Sequence, residues 1–189
     1  MIEIIFYGRG GQGGVTAANL LVEAAMYEGL YGQAFPFFGA ERRGAPVLSF
    51  ARISDRPILR HGMFTRADVV AVLDDSLLTC ECPRVVVKDG GTVIINTQRE
   101  DVVVKTVSLE GRAKAYAVDA SGIALKEGLV IAGWPVVNTA MLGALARATG
   151  IVSVSSLVKA VRENYGGRLG ELNVRALLSA YEGLRELRL

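Results

Sequence analysis

The sequence predicts an α/β fold with a mainly parallel sheet flanked by helices and a helical C-terminal part. Three observations carry that expectation. The runs at 69–73 and 92–96 are short, continuous and apolar, the pattern of strands buried on both faces. Such runs alternate with helix-like stretches, as strands and crossover helices do in α/β proteins. From residue 136 onward the apolar positions recur at helical spacing almost to the end.

The chain opens on an apolar run, Ile4-Ile5-Phe6-Tyr7. This feeds the turn Gly8-Arg9-Gly10-Gly11-Gln12-Gly13-Gly14 and then a helix over 15–27. Glycine takes positive φ without steric cost, so five of them let the backbone turn sharply and lie close to another surface. A strand, a glycine turn and a helix start also make an anion site. The first N–H groups of a helix lack partners, and its dipole points positive end outward. Gly8, Gly10 and Gly13 satisfy the G-x-G-x-x-G spacing of dinucleotide folds. That fingerprint also needs an acidic residue at the end of a second strand about 20 positions on. Glu28 lies at that distance but falls within the helix, before Gly29, and the stretch after it carries Pro36. Three uses therefore stay open: tight packing of the first helix, a dinucleotide, or another phosphate group. Gly8, Gly10, Gly11, Gln12 and Gly13 are the candidate binding residues.

The helix over 15–27 has a wide apolar face, Ala17, Ala18, Leu20, Leu21, Ala24 and Ala25, and Gly29 stops it. Residues 31–38 read as a strand interrupted at Pro36. Phe38-Gly39-Ala40-Glu41-Arg42-Arg43-Gly44-Ala45-Pro46 is a charged loop. Residues 47–53 alternate apolar and polar positions, as a half-buried strand does, and Ser54-Asp55-Arg56-Pro57 is a turn. The strand at 69–73 ends in Asp74-Asp75. These cap the next helix or stand where α/β folds place functional groups. A short helix follows at 76–82, closed by Pro83. Asp89-Gly90-Gly91 reads as a turn before the strand at 92–96, and further strands lie at 102–107 and 115–118. Asp119 opens a helix that runs through Lys126 and stops at Gly128. The last three helices lie at 136–149, at 153–165 with Ser153 or Ser155 as its cap, and at 169–187. No repeat or linker divides the chain, so residues 1–189 are expected to form a single Rossmann-like domain.

Composition narrows the function classes. The hydrophobic share of 51% and the charged share of 21% are globular values. A net charge of +2, with no basic run interleaved with aromatics, argues against a nucleic-acid partner. No apolar run is long enough to span a membrane, and Met1-Ile2-Glu3-Ile4 is not a signal peptide, so a cytoplasmic protein is expected. Cys80 and Cys82 are too few for an iron–sulfur cluster or a zinc site and read as ordinary thiols. His61 is the only histidine and reads as structural.

Two stretches go beyond fold class. Gly8-Arg9-Gly10-Gly11-Gln12-Gly13, followed by a helix and the Phe38–Pro46 loop, resembles the gamma subunit of 2-oxoacid:ferredoxin oxidoreductases, which include the pyruvate and 2-oxoisovalerate enzymes. Arg52-Ile53-Ser54-Asp55, Pro57-Ile58, the stretch at 67–74, the Gly90-Gly91 turn and Val137-Asn138-Thr139-Ala140-Met141-Leu142-Gly143-Ala144 are similar to the same subunit. The glycine motif also occurs in the beta subunit of indolepyruvate oxidoreductases. The Gly39–Pro46 loop favours the pyruvate or 2-oxoisovalerate type. Position 14 is Gly here, where that family often carries a bulkier residue.

The resemblance implies a non-catalytic subunit of an enzyme that decarboxylates a 2-oxoacid, most simply pyruvate. The enzyme passes two electrons singly to ferredoxin and transfers the acyl group to coenzyme A. It implies thiamine diphosphate and Mg²⁺ in the alpha and beta subunits and [4Fe–4S] clusters in the beta and delta subunits, with no cofactor or metal in this chain. The expected role here is docking on those subunits. Glu41, Arg42 and Arg43 are the docking candidates, since arginines suit paired carboxylate or phosphate contacts, and the glycine turn is placed to approach coenzyme A. Exposed docking surface favours self-association of the isolated chain. The rival is a stand-alone nucleotide-binding protein, which predicts tight nucleotide binding by this chain alone.

Overall fold

The computed structural model of the chain describes residues 1–36, 44–79, 85–99 and 107–187. The apolar opening forms β1 (Ile2–Arg9). Ile4 and Phe6 project from one face of it and Ile5 and Tyr7 from the other, and all four are buried. α1 (Gly14–Tyr27) follows and buries the six alanines and leucines of the expected apolar face. The chain then builds β2 (Tyr31–Pro36), β3 (Pro46–Ser54), β4 (Arg66–Val72), β5 (Val85–Asn96), β6 (Val107–Leu109) and β7 (Lys114–Val118). After these come α2 (Ala120–Lys126), the two-residue strands β8 (Val130–Ile131) and β9 (Trp134–Pro135), α3 (Asn138–Thr149), α4 (Val154–Tyr165), α5 (Gly167–Glu182) and β10 (Arg185–Leu187).

The strand order is β10-β7-β5-β4-β1-β3-β2, with β6 pairing on β5. β1, β4, β5 and β7 run parallel, while β3, β2 and β10 add antiparallel edges. From β1 the chain leaves toward α1, β2 and β3, and it resumes on the other side of β1 with β4. That reversal puts a crevice at the carboxyl ends of β1 and β4, where open α/β sheets bind their ligands.

The five α-helices of the described residues all pack on the face bearing Ile4 and Phe6. The opposite face gathers Ile5, Tyr7, Leu48, Phe50, Val70 and Val72 with Leu77 and Leu78 of a short 3₁₀ helix (Asp75–Leu78). Helix starts follow side-chain chemistry. Asp119 accepts from the Gly122 N–H at 2.8 Å to cap α2, and Ser153 accepts from Ser156 N–H at 3.2 Å to cap α4. α3 and α5 cross very closely: a Cβ on Gly143 would lie 2.0 Å from the Leu177 carbonyl oxygen.

The amino end of β1 carries a second construction, Arg52 with Glu3, Lys88 and Asp68. The Arg52 guanidinium is buried. It donates to Glu3 Oε1 (3.1 Å), Gln33 Oε1 (3.1 Å) and the carbonyls of Arg60 (3.3 Å) and Gly62 (2.9 Å). It also stacks on Phe64 and Phe35 at 4.7 and 5.5 Å. Lys88 donates to Glu3 and Asp68 at 3.0 and 3.1 Å.

Four expectations change. β3 is buried on both faces rather than half-buried, because Arg52 lies paired inside and Ser49 is covered by α1. Asp89-Gly90-Gly91 is a bulge within β5, not a turn ahead of it. Val87 pairs with Ala67 and Thr92 with Val69, so β5 spends three more residues than β4 over the same interval. The helix expected over 169–187 ends at Glu182, and Arg185–Leu187 instead zips onto Ala115–Ala117 of β7. The helix expected over 76–82 is the 3₁₀ turn Asp75–Leu78, and residues 80–84, with Cys80 and Cys82, lie outside the described residues. Of the strand at 102–107, only Val107 lies within them.

Tyr7 is fully buried with no hydrogen-bond partner for its hydroxyl among the described residues, and burial pushes the phenol up to about 12 despite the Arg9 charge. Tyr7→Phe removes that orphan group. The expected result is a denaturation midpoint unchanged or raised, by up to about 1 kcal/mol. A clear loss of stability would show that the hydroxyl has a partner. Among the described residues, no helix is long and apolar enough to cross a membrane.

Candidate functional site

The glycine turn stands at the crevice between β1 and β4, and each of its residues does a different job. Gly8 is still in β1. A Cβ there would press on Gln12 Oε1 and Leu73 at 3.1 Å, so its small size lets the Gln12 side chain fold back under the turn. Gly10 exchanges hydrogen bonds with the far end of the charged loop, donating to the Ala45 carbonyl (2.9 Å) and accepting from Gly44 N–H (3.2 Å). Gly11 is the exposed apex at φ +100°, with nothing within 4 Å of a Cβ. Gly13 precedes α1 in the left-handed region, φ 82°, and supplies no capping side chain.

Gln12 is the anchor. Its Oε1 accepts from the Arg9 N–H at 2.7 Å and its amide donates to Asp74 Oδ2 at 3.0 Å. Arg9 closes the same ring. It donates to Asp74 Oδ2 (3.1 Å), the Gly44 carbonyl (2.9 Å) and Ser76 Oγ (2.7 Å). Asp74 also caps the 3₁₀ helix through Ser76 N–H at 3.1 Å. It therefore serves both readings that Asp74-Asp75 offered in sequence: it is a cap, and it holds the candidate site. Asp75 accepts from Thr97 Oγ1 at 2.7 Å and stays outside that ring.

A cavity of about 520 Å³ opens beside the turn. One wall is Gly8 to Gly11 and Gly13 to Thr16. Val47 and Ser49 of β3 form another, and the rest comes from residues 128–131, Val136, Asn138, Tyr165, Leu169 and Asn173. The lining is mostly apolar, and Arg9 is the only charged side chain among the described lining residues. Its polar far side is built in sequence: Asn138 donates to Tyr165 Oη at 3.2 Å, Thr139 to Asn173 Oδ1 at 2.9 Å, and Asn173 to the Leu169 carbonyl at 2.9 Å. A cavity with one helix N-terminus, few polar groups and apolar walls suits a ligand with an anionic end and an apolar body. A second groove beyond Gln12 is lined by Asp74, Asp75, Asn96, Thr97 and Ser121. Much of its polar surface is already paired: Asn96 bridges the Leu73 carbonyl and Ser121, and Thr97 holds Asp75.

Gly8, Gly10, Gly11, Gln12 and Gly13 thus come together as expected from their spacing. Glu28 does not join them; its carboxylate accepts from Ser153 N–H at 2.8 Å and fastens the start of α4. His61 sits in an exposed loop against Gln33 at 3.2 Å. Glu41, Arg42 and Arg43 lie outside the described residues. Asp74 as the partner of Gln12, and Ser49 and Tyr165 as cavity walls, had no local signal. They reach the site only through strand pairing and helix packing. Among the described residues, no cluster of three His, Cys, Asp or Glu side chains could hold a metal.

Comparison with known proteins gives one consistent result. A family model described as pyruvate ferredoxin/flavodoxin oxidoreductase matches residues 3–183. The pyruvate/ketoisovalerate oxidoreductases common subunit gamma of Thermococcus kodakarensis is 52% identical over 183 residues, covering 96% of each chain. Pyruvate synthase subunit PorC of Methanothermobacter thermautotrophicus is 46% identical over 188 residues, covering 100% of this chain and 98% of the relative. The crystal structure of pyruvate oxidoreductase subunit PORC from Thermotoga maritima superposes with a TM-score of 0.80 at 35% identity, over 99% of this chain and 98% of that one.

Proposed function

The chain belongs to the pyruvate ferredoxin/flavodoxin oxidoreductase family, and from that premise we propose that it is the gamma-type subunit of a cytoplasmic 2-oxoacid:ferredoxin oxidoreductase acting on pyruvate. The complex cleaves the bond between the carboxylate and the oxo carbon of the 2-oxoacid and releases CO₂. It passes the two electrons freed in the oxidation singly to ferredoxin, and joins the acyl group to the coenzyme A thiol. Thiamine diphosphate with Mg²⁺ and the [4Fe–4S] clusters, held by alpha, beta and delta subunits, supply that bond cleavage and electron transfer.

This chain's own share is binding and positioning. The observation that carries this is the turn itself. Gln12, Arg9 and Asp74 lock its base, leaving the Gly11 apex and the uncapped start of α1 facing a largely apolar cavity. Backbone N–H groups at a helix start suit the phosphates of coenzyme A, and the apolar walls suit its pantetheine arm. The charged loop, whose described end is pinned to the turn through Gly44 and Ala45, is the docking element, with Glu41, Arg42 and Arg43 meeting the catalytic subunits.

Affinity purification of the chain from its native cells tests the assignment. Recovery of a thiamine-diphosphate subunit and a ferredoxin-like cluster subunit is expected. Recovery of the chain alone with bound nucleotide would overturn it. Gly11→Val tests the role of the turn: a β-branched residue at φ +100° is forced out of that conformation. Loss of one charge-assisted backbone contact should weaken coenzyme A binding by the assembled complex about tenfold. Unaltered affinity in a complex of normal composition would count against any contact there.

A further inference from the structure

We propose that the loop between β3 and β4 is a second docking element, and that it takes an acidic segment with apolar flanks from a neighbouring subunit of the complex. The inference rests on the reading of the chain as one subunit of a larger enzyme, and it adds a surface that reading does not include.

The loop, residues 55–65, is neither helix nor strand. It carries Leu59, 87% exposed, and Met63, 60% exposed. Exposed apolar side chains are ordinary when scattered singly, but here two stand on one short loop. That loop is nevertheless held in place. The buried Arg52 guanidinium donates to the carbonyls of Arg60 and Gly62 and stacks on Phe64, and His61 lies 3.2 Å from Gln33 of β2. Leu59 and Met63 flank the two pinned carbonyls, so the backbone that presents them is fixed before any partner arrives. Such order lowers the entropy cost of association.

A groove of about 510 Å³ runs beside the loop. Its described lining has four cationic side chains, Arg52, Arg60, Arg66 and Lys88, against one carboxylate, Glu3. Glu3 is already paired with Arg52 and Lys88 at 3.1 and 3.0 Å, and Arg66 with Glu110 at 2.7 Å. Arg60 is the charge left over: its guanidinium makes no ion pair or hydrogen bond with a described residue.

The chemistry of the occupant follows. A carboxylate answers the surplus charge and suits a paired contact with Arg60. A free anion would leave Leu59 and Met63 in water, whereas a protein segment with an acidic side chain between apolar ones covers them as well. Apolar side chains beside the charge favour a lasting interface over a brief charge-steered encounter. The loop lies at the amino end of β1 and the glycine turn at its other end. β1 has eight residues, so the two stand roughly 25 Å apart and occupation of one leaves the other open.

The test is subunit recovery from the purified complex carrying Arg60→Glu, or Leu59→Ser with Met63→Ser, beside the melting temperature of each full chain. All three side chains are exposed, so the melting temperatures should match the parent. Each variant should release one neighbouring subunit, with its dissociation constant raised about tenfold or more. A photo-reactive side chain at position 59 should crosslink to an acidic segment of that subunit, and reversing the charge of the carboxylate found there should restore association in Arg60→Glu. Parental association in both variants, or a loss that tracks a fall in melting temperature, overturns the proposal and leaves the subunit reading standing. A crosslink to ferredoxin or to a second copy of this chain does the same. A parent chain that recovers no other subunit overturns both.

Discussion

Replacing Gly143 with valine is expected to cost at least about 3 kcal/mol of stability, among the largest losses any single substitution in this chain should cause. The site is a helix crossing in which α3 lies against the backbone of α5. Even the first side-chain carbon would stand 2.0 Å from the Leu177 carbonyl oxygen, with the Leu177 carbonyl carbon at 2.8 Å. A flexible side chain could swing aside, but main chain within a helix cannot, so the two helices must separate. Separation would strip cover from Ala144, Leu177 and Ala180, all buried in the main core. Gly170→Ala on α5 is the matched control. A Cβ there meets Arg162 at an ordinary 3.8 Å, so better helix propensity should leave stability equal or higher. Urea unfolding of the three chains decides the matter; similar midpoints for Gly143→Val and the parent would show that the crossing is looser than described.

Arg52→Leu is expected to cost about 3–5 kcal/mol, because it leaves the Glu3 carboxylate buried with half its pairing gone. The guanidinium also ties four elements at once, binding Glu3 on β1, Gln33 on β2 and two carbonyls of the loop before β4. Lysine at position 52 should rescue little, since an ammonium group cannot span that fork of acceptors or stack between Phe35 and Phe64. The double change Arg52→Leu with Glu3→Gln should recover part of the loss by removing the stranded charge. The same cluster sets a pH limit. Burial alone would lower the Lys88 ammonium, but Glu3 and Asp68 hold it above its usual 10.5. A raised folded-state value means its contribution is complete below the usual value and fades as the solution is taken above it. Stability that is flat up to about pH 10.5, falls from there until the higher folded-state value is passed, and then levels is the expected contribution of this group. In Arg52→Leu the unfolding midpoint should drop at every pH; no drop would mean that Glu3 is adequately paired by Lys88.

What could be read in the sequence was whatever local chemistry decides. The glycine turn, the caps at Asp119 and Ser153, the apolar stripe of α1 and the buried runs of β4 and β5 are each specified by a few neighbouring residues, and each appears at its expected place. What could not be read depends on partners far away. Arg185-Glu186-Leu187 continues a helical pattern, and only the exposed edge of β7 turns it into a strand. Gly90-Gly91 has turn composition, yet the neighbouring strand holds it as a bulge. Within the site, the five candidate residues were visible as a motif, but the carboxylate that holds Gln12 and Arg9, Asp74, was only one of two adjacent acids. Ser49 looked like the polar half of an alternating strand until β3 was found buried on both sides.

The Gln12–Asp74 link also bears on the order in which the protein takes shape. The two residues are 62 positions apart, and Arg9 reaches 65 to the same carboxylate. Closing so long a loop is slow compared with winding a helix, and it must wait until β4 has found its place alongside β1. The turn most dependent on glycine, and hence the most disordered in the unfolded chain, is therefore among the last parts to become rigid. A nascent chain that has made β1 and α1 but not yet Asp74 has the motif without its form. Early association with a partner or ligand through this turn would be association with a floppy loop, and productive assembly belongs to the chain in which the centre of the sheet is already closed.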